Sequence, residues 1–95
     1  MTQRKFDEDM IHDLYQAFVK IYSEAACASL LEDLCTRKEV EQMAQRLRAA
    51  KLLMEGKTYT QVIEQTNISS ATLSRVSRCV QYGEGYRKFV TPEEK

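Results

Sequence analysis

Ser70, Ser74 and Arg78 recur at intervals of four, with Ala71 and Arg75 beside them, and on a helix they share one face. Serine hydroxyls can hydrogen-bond bases or phosphates, and an arginine fork pairs bidentately with guanine or clamps a phosphate. Small side chains at the start of such a helix let its backbone approach a groove floor, where the first N–H groups are themselves phosphate donors. On an ordinary helical hairpin the same stripe would only be a solvated surface. The elements that position it decide between the two readings.

Those elements lie in TYTQVIEQTNISSATLSRV, from Thr58 to Val76. Val62 and Thr66 fall on one face of a first short helix, Ile68 plugs a turn, and Leu73 and Val76 fall on one face of a second. Thr58 followed three residues later by Gln61 reads as a capping box that starts the first helix. Asn67 stands where the chain needs a left-handed conformation, which Asn tolerates better than most residues other than glycine. Ser69 then N-caps the second helix, which begins at Ser70. With Leu73, Val76 and Val80 turned inward, the polar stripe faces out. This is helix-turn-helix grammar, and its expected partner is double-stranded DNA. The expected DNA-contact residues are Thr60, Ser69, Ser70, Ala71, Thr72, Ser74, Arg75 and Arg78.

Lys plus Arg and Asp plus Glu both number 14, so the chain carries no net charge. Its distribution is uneven. Residues 1–35 hold 3 basic and 7 acidic side chains, whereas residues 36–90 hold 10 basic and 5 acidic. A basic second half suits a protein that meets a polyanion with one side only. The modest surplus implies salt-dependent binding of moderate strength per chain and favours the use of two chains at once.

With 95 residues, 43% hydrophobic content and few Gly or Pro, the sequence describes one ordered, mostly helical domain. No stretch is apolar enough to span a membrane, and MTQRKFDEDM lacks the apolar run of a signal peptide, so a cytoplasmic location is expected. Cys27, Cys35 and Cys79 have neither metal-ligand nor redox-pair spacing and read as buried free thiols, with a redox sensor as the alternative; the four methionines read as core filler. An enzyme is not expected: the one histidine, His12, reads as a surface residue, and Asp7, Glu8 and Asp9 read as a solvated helix start. No metal or cofactor is expected.

Around the helix-turn-helix (58–80), the spacing predicts a helix from Asp7 to Ser23 and a short one from Ala25 to Leu34, residues 1–35 together serving dimerisation. A capping box of Thr36 and Glu39 opens a long helix (36–56) that stops at Gly56, with Val40, Met43, Ala44, Leu47, Ala50 and Met54 as its inner stripe. A last short helix (84–90) carries Tyr86, Phe89 and Val90, and the TPEEK end looks loose. The first helix is apolar over too wide an arc for one small chain to cover. A homodimer through Phe18, Ile21, Tyr22, Leu30, Leu34 and Leu47 is therefore expected, setting two recognition helices about 34 Å apart to meet successive major grooves.

The segment LLEDLCTRKEVEQMAQRLRAAKLLMEGKTYTQVIEQTNISSATLSRVSR, Leu30 to Arg78, resembles the core of the Trp repressor family. The resemblance implies an all-α, intertwined homodimer whose helix-turn-helix units bind a palindromic operator and repress transcription. It also implies a ligand site: in the family, tryptophan sits between two arginines, matched by Arg46 and Arg75, with Thr36 matching a threonine at the pocket wall. Val76, however, stands where the family has a glycine that makes room for the indole, and Cys79 replaces a serine that helps hold the amino group. A β-branched side chain there would overlap the ring, which argues against tryptophan and leaves another small-molecule effector, or none, open.

Two other functions use the same features. One is a protein-docking module on polymerase or a replication factor, whose affinity need not fall by orders of magnitude with salt. The other is a replication-related DNA-binding domain, although this sequence carries no Gly-rich phosphate loop of an attached ATPase.

Overall fold

The computed structural model describes residues 3–90, and they are all-α, with no strand among the described residues. In chain order the helices are α1 (Gln3–Val19), α2 (Glu24–Leu34), α3 (Arg37–Met54), α4 (Tyr59–Thr66), α5 (Ser70–Tyr82) and α6 (Gly85–Phe89). The TPEEK end lies outside the described residues. The chain divides into two compact units, one ending at Thr36 and the other beginning at Arg37. No described helix is long and apolar enough to cross a membrane.

In the first unit, α1 begins four residues before the expected Asp7, because Gln3, Arg4 and Lys5 are good helix formers and nothing there breaks the run. It also ends four residues before the expected Ser23. The N–H groups of Lys20 and Ile21 close tight turns on the carbonyls of Ala17 and Phe18. Ser23 instead N-caps α2, its hydroxyl accepting from the Ala26 N–H at 3.0 Å. Much of the apolar surface of this unit is uncovered: Phe6, Met10, Leu14, Phe18, Val19 and Tyr22 are all exposed, Tyr22 at 89%.

The second unit holds the core. Ala49, Ala50 and Leu52 of α3 pack with Val62 of α4, Ile68 of the turn, and Leu73 and Val76 of α5; Leu53, Ile63, Val80 and Tyr86 close around them. The expected inner stripe of α3 is therefore only partly right. Ala50 is buried, but Met43, Ala44 and Leu47 are exposed, and the covered face runs through Ala49, Leu52 and Leu53 instead. The helix is apolar on two sides, and a single stripe read from the sequence followed the side that α4 and α5 do not cover.

α3 ends in a Schellman turn around Gly56, whose φ of 92° belongs to the left-handed region. The Gly56 N–H reaches the Leu53 carbonyl at 3.0 Å and the Lys57 N–H reaches that of Leu52 at 3.1 Å.

The reading of the cysteines as buried is corrected: Cys27 and Cys35 are half-buried, and Cys79 is exposed. A unit of two helices has too little thickness to enclose the first two, and Cys79 lies beside a cleft rather than in the core. Met10 and Met43 likewise stand exposed rather than filling the core. His12 and the Asp7–Asp9 cluster are exposed, as expected.

Candidate nucleic-acid interface

The two helices of the site are short, 8 and 13 residues, and neither would persist alone. Local chemistry fixes their ends. At the start of α4 the Gln61 N–H donates to Thr58 Oγ1 at 3.2 Å while the Thr58 N–H donates to Gln61 Oε1 at 2.9 Å, a complete capping box. At the turn Asn67 takes φ 62° and ψ 24°, the left-handed conformation that its position requires. Its N–H closes α4 on the Ile63 carbonyl at 2.8 Å. Ser69 caps α5, its Oγ accepting from the Thr72 N–H at 3.2 Å.

Burial then separates the two faces of α5. Leu73 and Val76 are buried with Ser77, and Val80 is half-buried; Ser70, Ala71, Ser74, Arg75 and Arg78 are exposed. Thr60, near the start of α4, is exposed as well. Two residues of the expected contact set already have internal duties. Ser69 gives its hydroxyl proton to Thr72 Oγ1 at 2.9 Å, so Ser69 offers only lone pairs outward, while the half-buried Thr72 keeps its own proton to donate.

Two ion pairs of this unit, Arg37 with Glu41 at 3.2 Å and Lys88 with Glu84 at 3.1 Å, are exposed pairs one turn apart and hold little energy. Among the described residues neither Arg75 nor Arg78 has an acidic partner, so both forks are available to an outside anion.

α5 runs to Tyr82, two residues past the expected end, and stops at Gly83. A side chain at Gly83 would bring its Cβ within 2.8 Å of the Cys79 carbonyl oxygen, so the close approach of backbone to backbone requires glycine there. Arg87 of α6 turns back onto this end, its Nε and Nη2 donating to the Gly83 carbonyl at 3.1 and 2.6 Å. A cation thus complements the C-terminal pole of α5.

Of the three residues expected at a ligand site, Arg46 is half-buried on α3 and Arg75 is exposed on α5, both in the second unit, while the exposed Thr36 closes the first. A cavity of about 340 Å³ opens at the junction of α5 and α6, lined by Cys79, Gly83, Gly85 and Tyr86. Val76, 1% exposed, is part of the core itself.

One residue of the site was not singled out by the sequence. Gln45 of α3, half-buried, donates its side-chain amide to the Thr66 carbonyl at 2.9 Å, across 21 positions of chain. The available signal was a polar residue one turn before the buried Ala49, at the head of the apolar run Ala49, Leu52 and Leu53 on the same face.

The family described as Trp repressor protein matches residues 9–94. The Bacillus subtilis (strain 168) protein YerC, described as uncharacterized, is 38% identical over 73 residues, which are 77% of this chain and 70% of YerC. Two solved structures are similar over nearly their whole length. One, from Staphylococcus aureus and reported as a "putative Trp repressor", has a TM-score of 0.81 at 29% identity, covering 98% of this chain and 99% of that one. The other, a TrpR-like protein from Eubacterium eligens ATCC 27750, has a TM-score of 0.81 at 34% identity, covering 90% of each. With the helix-turn-helix in place and a match across most of its length, the chain belongs to the Trp repressor family, whose members are regulatory DNA-binding proteins rather than enzymes.

Proposed function

We propose that the chain is a sequence-specific transcriptional regulator, acting as a repressor, that binds a palindromic operator in double-stranded DNA as a homodimer through α4 and α5. The observation that carries this reading is the outward stripe of α5, small at its first turn and cationic further on, on a helix fixed at both ends. The helix rises 1.5 Å per residue, so Arg75 stands about 7.5 Å and Arg78 about 12 Å beyond Ser70 along the axis. A major groove is about 8.5 Å deep. With the start of α5 at the groove floor, Ser70, Ala71 and Ser74 meet base edges, Arg75 reaches a base from the wall, and Arg78 meets phosphate at the rim. Ser69, Thr72 and Thr60 add contacts at the backbone.

The homodimer reading is supported by the apolar surface that the chain leaves uncovered. Phe18, Tyr22, Leu34 and Leu47 are 43–89% exposed, and Ile21 and Leu30 only half-buried. Each such side chain gains about 1.5–3 kcal/mol on full burial. As to an effector, the burial of Val76 in the core argues against tryptophan, because an indole there would displace packed atoms. Arg46 and Arg75 remain the residues proposed for an effector of another kind.

Selection of bound duplexes from a random library tests the reading. The expected result is an enriched sequence with two inverted half-sites, bound with a steep salt dependence. A library that stays random after repeated rounds would overturn it. Affinity for a protein partner that ignores salt would point to the docking module instead.

A further inference from the structure

We propose that Gln45 of α3 is a positioning residue that sets the angle at which α5 is presented to DNA; the inference rests on the DNA-binding reading above. The last carbonyl groups of a helix have no partners within it, and in a helix of 8 residues they are a large share of its backbone. At the end of α4, the Ile63 carbonyl takes the Asn67 N–H, and the Thr66 carbonyl takes the side-chain amide of Gln45. The Thr66 hydroxyl is engaged on both sides, donating to the Val62 carbonyl at 2.7 Å and accepting from the Ile68 N–H at 3.3 Å.

The carbonyl that Gln45 grips belongs to the peptide unit between Thr66 and Asn67. The orientation of that plane fixes ψ at Thr66 and φ at Asn67, the pair of rotations through which the chain swings from α4 into α5. The apolar contacts around it do not specify direction in the same way. α3 offers Ala49, Ala50 and Leu52 to the packed helices, with Leu53 beside them, and the apolar attraction that holds them together is itself non-directional. A hydrogen bond is directional, weakening steeply as its angle closes. Gln45 thus ties the turn to the long helix at one defined point, while the core supplies cohesion.

A positioning role separates specific from non-specific binding, because base edges demand the angle of α5 and phosphates are more forgiving. The test uses the full chain, a duplex selected by the wild type and a scrambled duplex of the same length. Gln45→Met removes the donor while keeping length and helix propensity. It is expected to lower affinity for the selected duplex about ten- to a hundredfold, the effect of one net hydrogen bond in each chain of the dimer, and to leave the scrambled duplex unaffected. Gln45→Lys restores a donor on a stem of similar length and is expected to regain wild-type discrimination between the two duplexes. Equal losses of the Met variant on both duplexes, or unchanged discrimination, would overturn the inference. If Gln45→Met does not fold, Gln45→Leu, which also lacks the donor, takes its place with the same expected and overturning results. A wild-type chain that selects no duplex at all would overturn the DNA reading together with this one, a failure visible before any variant is made.

Discussion

Arg78→Ala puts the proposed geometry to a quantitative test. Arg78 is exposed, has no acidic partner among the described residues, and lies outside the core, so its removal should change stability by no more than about 0.5 kcal/mol. If it meets phosphate at the groove rim, each chain of a dimer loses one phosphate contact. Each neutralised phosphate contributes about −0.9 to the slope of log affinity against log salt, so two lost contacts make the slope shallower by about 1.8. Between about 50 and about 200 mM salt, that amounts to the wild type losing about twelvefold more affinity than the variant. Fluorescence anisotropy of a labelled selected duplex, repeated across that range, reads the slope directly. Circular dichroism checks that the variant is folded. Loss should be similar on selected and scrambled duplexes, because a phosphate contact carries no sequence information. A folded variant with an unchanged slope would refute the placement of Arg78 at phosphate, and with it the depth to which α5 is inserted.

Two further predictions concern the frame. Leu73 is fully buried between α3 and α5, so Leu73→Ala should cost about 2–5 kcal/mol in urea unfolding, and a cost below about 1 kcal/mol would mean that the core around α5 is not closed as described. Asn67 holds a left-handed conformation, so Asn67→Val should lower stability by about 1–2 kcal/mol while Asn67→Gly is tolerated; equal effects in thermal melts would show that the turn does not need that conformation.

The helix-turn-helix was legible because each of its decisions is local. Thr58 meets Gln61, Ser69 meets Thr72, and Asn67 is distinguished by its own backbone, so a window of a few residues contains both cause and effect. Spacing alone was less informative for α3, where apolar residues occupy two sides and the sequence does not say which side the neighbouring helices take. The same blindness applied to Gln45, whose partner stands 21 positions away. The cysteines were misplaced for a related reason. Burial of a small apolar side chain depends on what lies over it, and neither the thin first unit nor the cleft at the end of α5 can be inferred from residue type. Helix ends were read correctly where a cap marked them, as at Ser70, and missed where Ser23 served the next helix rather than the one before.

The corners of the second unit are closed by residues that do not belong to the outward stripe. Gly56 turns the chain by backbone geometry, Thr58 and Gln61 secure one start, Asn67 the bend, and Gly83 with Arg87 the far end. Ser70, Ala71, Ser74, Arg75 and Arg78 can consequently be rewritten without disturbing the scaffold beneath them. On the proposed reading, such a layout would let a lineage of these proteins drift from one target sequence to another by exchanging a handful of letters, and would offer the engineer a chassis on which new reading heads can be fitted.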